Sequence, residues 1–286
     1  MKVAIIADLL GVPLYDSITL AKQLGADGVQ LYAVGGRWNL MEFSEAELDA
    51  LADECKRLDI AVTAVCGDLG GHAFENRLEN PERIRKTQQI FDIAERLGAK
   101  VVTGHIGVIP EDINCERFGI LCESLKEVAA YASSKNMHFA IETGPEHAVT
   151  LKKFLDAVDD PGLGINYDPA NLKMVLDEDV VQGVKTLKGH IVHTHAKDGI
   201  HYKKCDPVKI YTAFAEGGFE QLLSVTGQLF EEVPLGKGQV PWKEYIAALH
   251  EIGYDSWLTI EREVGADPVR DISEAVNFLK TLPGVQ

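Results

Sequence analysis

The 286-residue chain is 46% hydrophobic and 25% charged, enough apolar material for one sizeable core, and carries a formal net charge of −16 with a pI near 5.0. Such a field repels phosphate backbones and anionic headgroups; it argues against nucleic acid and membrane partners and leaves small neutral molecules and metal cations. Five cysteines without a CxxC pair argue against a disulfide framework or structural zinc site, and with no signal-peptide core or long apolar run the expected location is the cytoplasm.

Short β-branched runs alternate with amphipathic stretches along the whole chain. KVAIIAD (2–8) reads as a strand ahead of a helical pattern near 16–24. GVQLYAV (28–34) precedes SEAELDALADECKRL (44–58), where Ser44 and Glu47 stand at capping-box spacing. AVTAVCGDL (61–69) precedes a helix over 80–98, opened by Asn80-Pro81 and closed by Gly98. KVVTGHIG (100–107) precedes 115–136. HFAIETG (138–144), LGINYD (163–168), HIVHTHAKD (190–198) and SWLTIERE (256–263) supply the other strands. Their helical patterns fall near 148–158, 178–187, 241–252 and 268–280.

Eight β-α units follow one another without a Ser/Gly linker, and the strands lack the alternation of a half-solvated sheet. This predicts a (β/α)₈ TIM barrel, a single domain over 1–286. No GxGxxG follows the first strand, which counts against an open doubly wound sheet. Residues 199–240 break the rhythm and are expected as a long loop after the seventh strand, carrying Tyr202, Tyr211, Phe214 and Phe219 and ending in PLGKGQVPW (234–242). A loop on that face covers a site or joins a partner subunit.

In a barrel the C-terminal strand ends converge on one pocket. The fifth strand ends in Glu142, the sixth in Asp168, the seventh in His195 and the eighth in Glu261. Three acids aimed at one axis repel one another, and a single divalent cation is the natural counter-charge. An oxygen-rich set with one nitrogen suits Mn²⁺ or Mg²⁺ ahead of Co²⁺ and Zn²⁺. Taken singly, each acid also reads as a helix cap or a salt-bridge partner; the four together carry the expectation.

His105, ending the fourth strand, points into the same mouth as a substrate ligand, a second metal ligand or a core histidine. His72 and Trp38 lie on loops over the mouth, and a flat indole beside polar groups suits a sugar ring. Asn171 joins the candidate substrate contacts. Lys197 is either solvated or faces substrate, and Asp198 either holds a ligand or caps the loop. His193 is expected to turn away from His195, toward the helices, in a structural role.

The segments IETGPE, NYDPANL, HTHAKD, GKGQVPW (236–242) and TIERE, taken in order, resemble the sugar phosphate isomerase/epimerase superfamily. This is the xylose isomerase-like, AP endonuclease family 2-like barrel group, and the similarity runs across nearly the whole chain. The resemblance implies a (β/α)₈ fold and one divalent metal, often Mn²⁺, bound by Glu142, Asp168, His195 and Glu261. It also implies that the two glutamates serve as acid and base and that His105 contacts substrate. Two departures count against ketose 3-epimerase specificity. Asn171 stands where many such enzymes place a histidine, and GIHYKKC after the seventh strand lacks their arginine. Asn171 also breaks the histidine-rich set of the DNA-repair branch.

With a sugar or polyol chelated at such a centre, Glu142 and Glu261 could flank one carbon on opposite faces. One removes the α-proton and the other returns it, giving epimerisation or isomerisation through a metal-stabilised enediolate. If a carboxylate instead protonates a β-leaving group, the same parts make a dehydratase or lyase of an inosose or 3-keto-glycoside. A sugar-binding barrel without catalysis is a further reading. So are a homo-oligomer and a hetero-oligomer docked through 199–240.

Overall fold

The strands close on themselves because each is buried on both faces, β6 along its whole length, so neither face can be left to solvent. A computed structural model describes residues 1–286. The barrel strands are β1 (Lys2–Ile6), β2 (Gly28–Tyr32), β3 (Ala61–Cys66), β4 (Val101–Gly104), β5 (His138–Glu142), β6 (Leu163–Tyr167) and β7 (Ile191–Ala196). An inserted antiparallel pair, β8 (Asp198–His201) and β9 (Phe230–Val233), precedes the last barrel strand, β10 (Trp257–Ile260). β10 pairs in parallel with both β7 and β1, completing the closed eight-stranded barrel.

The helices are α1 (Leu14–Gln23), α2 (Glu45–Arg57), α3 (Asn80–Arg96), α4 (Glu116–Ser134), α5 (Ala148–Val158), α6 (Pro169–Leu176), α7 (Val180–Thr186), α8 (Pro207–Glu216), α9 (Phe219–Thr226), α10 (Trp242–Glu251) and α11 (Pro268–Lys280). The capping box expected at α2 is formed: Ser44 N–H donates to Glu47 Oε2 at 2.8 Å, and Glu47 N–H donates to Ser44 Oγ at 3.3 Å. No helix is long and apolar enough to cross a membrane.

Two expectations need correction. The sequence reading missed α6, although Asp168-Pro169 is a helix start, with an N-cap acceptor followed by proline at the first helical position. Residues 199–240 are also not a loop but a folded insert of β8, α8, α9 and β9. Asp206 caps α8 by accepting the Val208 N–H at 3.0 Å, Pro207 opens it, and Gly217, at φ 72°, closes it. Ile210 and Leu229 of the insert bury themselves against Val175 of α6.

The insert is fastened at its base by Asp198. Its carboxylate accepts N–H bonds from Gly199 (2.9 Å), Gly236 (2.9 Å), Gly238 (3.1 Å) and Val240 (3.2 Å), and from the Trp242 indole (3.0 Å). The GKGQVPW run is thus wound around one buried anion. A Cβ on Gly238 would come within 2.2 Å of Asp198 Oδ1, so only glycine fits. Of the two roles open to Asp198, capping the loop is the one this geometry fills.

Candidate metal centre

Glu142 closes β5, Asp168 follows β6, His195 lies near the end of β7 and Glu261 follows β10. Parallel register brings these four C-terminal ends to one level, and one donor atom from each lies within 4.8 Å of the others. His195 Nδ1 is 3.1 Å from Glu142 Oε1, 3.2 Å from Glu261 Oε2 and 4.0 Å from Asp168 Oδ2.

Three of these side chains are held by one atom while the other is left free. Asp168 Oδ1 caps α6, accepting the N–H groups of Ala170 (2.7 Å) and Asn171 (3.0 Å). Glu142 Oε2 accepts from Asn166 Nδ2. His195 Nε2 lies 3.2 Å from Gln30 Oε1 and 3.0 Å from Asn166 Nδ2. The remaining atoms, Glu142 Oε1, Asp168 Oδ2 and His195 Nδ1, are buried without a hydrogen-bond partner. Buried unpaired acceptors are costly, and three converging on one point fit a divalent cation. Cap and candidate ligand are therefore the same residue at Asp168.

The electrostatics agree. Burial pushes the Asp168 carboxyl well above the usual range; the Lys197 ammonium opposes this, while Glu261 and Glu142 add repulsion. Burial also acts to raise Glu261, but Lys197 and His195 outweigh it and hold that carboxyl well below its ordinary value. Lys197 is buried, with Nζ 3.1 Å from Glu261 Oε2 and 2.5 Å from Glu263 Oε2, so its solvated reading is excluded.

A cavity of about 790 Å³ opens above the cluster, lined by Glu142, His195, Glu261, His105, Asn171 and Lys197 among others. On its wall, at the end of β4 beside β5, His105 Nδ1 is 2.7 Å from Asp68 Oδ2, which leaves Nε2 without a protein partner. Burial pulls the imidazole down, yet the Asp68 carboxylate overrides it and lifts the ring to about 9. Asp68, despite burial, is held at about 2 by His105. His105 is outside the four-residue cluster, and its paired Nδ1 rules out the bare core-histidine reading.

The sequence matches the family described as xylose isomerase-like TIM barrel over residues 18–282. The chain belongs to that family. No curated protein matches it in sequence. Among solved structures it is similar to a xylose isomerase domain protein from Planctomyces limnophilus, at 24% identity and TM-score 0.78, covering 98% of this chain and 94% of that one. It is also similar to a D-psicose 3-epimerase crystallised with D-fructose, at 16% identity and TM-score 0.71, covering 99% and 100%. A third is AsbF of Bacillus anthracis, a probable 3-DHS dehydratase of petrobactin synthesis, at 19% identity and TM-score 0.73, covering 98% and 99%. At these identities the likeness establishes the shared fold.

Within this xylose isomerase-like barrel several sequence expectations change. His193 does not face the helices. Residues two apart on a strand share a face, so His193 lies inside the barrel one layer below His195. Its Nε2 is 3.1 Å from Gln30 Oε1 and 2.9 Å from Thr259 Oγ1, and burial together with the His195 charge holds it well below the ordinary imidazole range. Its structural role stands. Trp38 packs against the main core rather than lining the cavity. His72 also stays off the cavity wall, with Nε2 3.3 Å from Glu216 Oε1 of α8.

Four residues of the site were not singled out from sequence for it: Gln30, Asn166, Asp68 and Tyr211. The first two lie inside apolar strands, where a lone amide among hydrophobic residues is the available signal. Tyr211, from α8, reaches across to the end of β5 so closely that a Cβ on Gly144 would sit 1.8 Å from its hydroxyl. That contact explains why glycine follows Glu142 so soon.

Proposed function

We propose that residues 1–286, acting as one barrel, form a divalent-metal-dependent isomerase or epimerase of a ketose-type sugar or polyol, with Mn²⁺ the favoured ion. The observation that supports it best is the trio of buried, unpartnered donor atoms on Glu142, Asp168 and His195, with Glu261 beside them. A cation held by these four would supply Lewis acidity, polarising a substrate carbonyl and acidifying the adjacent C–H bond.

The chain's own residues then divide the work. Glu261, kept ionised by Lys197 and His195 against the pull of burial, removes the proton from one face of the carbon. Glu142, from a strand on the other side of the cluster, returns it on the opposite face. His105, charged through Asp68, donates from Nε2 to a substrate oxygen, while Asn171 and Lys197 orient the remaining hydroxyls. The folded insert covers the mouth and limits the entry of water.

One observation favours elimination as a second reading. His105 presents a proton at the end of β4, the strand beside the one that ends in Glu142, where it could protonate a departing hydroxyl or alkoxyl oxygen. In that case a glutamate removes the α-proton, the C–O bond breaks and an unsaturated product forms. Both readings are tested by incubating the Mn²⁺-loaded protein with ketoses, inososes and 3-keto-glycosides in D₂O and following the carbon-bound protons by NMR. Deuterium beside the carbonyl with a saturated product supports isomerisation or epimerisation; an alkene proton signal supports elimination. No exchange with any of the three classes overturns the proposal.

A further inference from the structure

The cavity is larger and more divided in character than a sugar alone requires. Its volume of about 790 Å³ falls in the upper part of the range of roughly 300–1,000 Å³ that encloses drug-sized ligands. One end is polar, built from the four-residue cluster, His105 and Lys197. The other end is furnished by the insert, which contributes nothing to the cluster.

There the aromatic rings form a continuous row. The His105 and Tyr211 rings are 5.9 Å apart, Tyr211 meets Phe214 edge-on at 5.9 Å, Phe214 stacks on Phe219 at 4.3 Å, and Phe219 stacks on Phe230 at 5.7 Å. Tyr211, Phe214, Phe219 and Phe230 all line the cavity, yet Phe214 remains 49% exposed. An aromatic face left open inside a catalytic cavity offers an offset-stacked or edge-on partner to another ring.

Charge narrows the ligand further. Glu231, Glu232 and Glu263 line the insert side of the cavity, and the Lys197 ammonium is already engaged by Glu261 and Glu263. A phosphorylated or otherwise anionic group on the insert side would meet these carboxylates, with the cavity's one lysine already engaged.

We infer that the cavity takes a neutral glycoside with an aromatic aglycone, its sugar ring carrying the ketone that the proposed reaction needs: the sugar sits at the cluster and the aglycone ring lies on the Tyr211–Phe214–Phe219 row. The inference rests on the sugar reading of the site made above and adds the substrate class. An aglycone carrying phenolic hydroxyls would also find acceptors in Glu231 and Glu232.

Isothermal titration tests it with 4-nitrophenyl β-D-glucopyranoside, methyl β-D-glucopyranoside, cellobiose and glucose 6-phosphate, each on the Mn²⁺-loaded and the EDTA-treated protein. The aryl glycoside should bind about tenfold more tightly than the methyl glycoside, the scale of burying one ring face. Phe214→Ala, at a half-exposed position, should erase most of that advantage and keep the weaker methyl glycoside binding; Phe219→Ala provides a second variant. Glucose 6-phosphate should bind more weakly than either glucoside. Equal affinity for the aryl and methyl glycosides, an undiminished aryl advantage in both variants, cellobiose matching the aryl glycoside, or preferential binding of the phosphate would each overturn the inference. Because the comparison reads binding with and without metal, an aryl preference without D₂O exchange would sink the proposed reaction while leaving this subsite standing.

Discussion

Asp198 Oδ2 accepts the indole N–H of Trp242 at 3.0 Å across 44 residues of chain, so one carboxylate joins the first residue of β8 to the first residue of α10. The insert leaves the barrel and returns to it at this buried anion, and everything it contributes to the cavity depends on that anchor. Asp198→Ala strips the acceptor from five N–H groups, three of them in buried bonds. A loss of about 3 kcal/mol or more in urea unfolding is expected, since bonds to a charged group each contribute about 1.5–3 kcal/mol. Wild-type stability in the variant would mean that the turn holds itself.

The Asp68–His105 pair should show itself in pH dependence. His105 is raised from 6.5 to about 9, so its contribution to stability is complete below pH 6.5 and is lost as pH rises through about 9. Asp68 is lowered from 3.8 to about 2, so its contribution is present above pH 3.8 and is lost as pH falls through about 2. Both are in full force between 3.8 and 6.5. In Asp68→Asn, burial acts on His105 without its nearest carboxylate, and the ring should titrate in the ordinary imidazole range or below it. NMR titration of the ring Cε1 proton reads this directly; a value still near 9 would assign the charge to the glutamates instead.

Asn166 stands behind two of the four candidate ligands, donating to Glu142 Oε2 and lying 3.0 Å from His195 Nε2. Removing such a support typically costs 10- to 100-fold in metal affinity. Asn166→Ala should therefore weaken Mn²⁺ binding by about that factor while its circular dichroism stays native. Unchanged affinity would show that the two ligands are oriented without the amide.

Glu142→Gln and Glu261→Gln separate holding a cation from moving a proton. Each amide keeps the shape and an oxygen donor but has no basicity, so deuterium exchange into substrate should fall by about 10²–10⁴. Full exchange in either variant would remove the two-carboxylate scheme.

The site's four principal residues were legible because a parallel barrel converts sequence order into a ring of strand ends, each marked by a polar residue closing an apolar run. Asp168 shows the limit of that reading. Its sequence context fits a helix cap and a metal ligand equally, and only coordinates reveal that its two oxygens divide the roles. Gln30 and Asn166 could not be placed because their importance comes from contacts between strands distant in sequence, which no local pattern records. The insert was obscured for a different reason. Its helices are short and their packed faces mix aromatic with aliphatic residues, so the turn-rich PLGKGQVPW reads more strongly as loop than Asp206-Pro207 reads as a helix start. His193, two residues before His195, shares its face because side chains alternate along a strand with a period of two, and so it turns inward rather than toward the helices.

The most direct test of the central claim is the metal content of purified, Mn²⁺-equilibrated and desalted protein, measured by mass spectrometry for the wild type beside Asp168→Ala and His195→Ala. The expected result is one equivalent of metal per wild-type chain and a small fraction of that in both variants. Metal-free wild-type protein, or variants that retain a full equivalent, would contradict a cation clasped by Glu142, Asp168, His195 and Glu261.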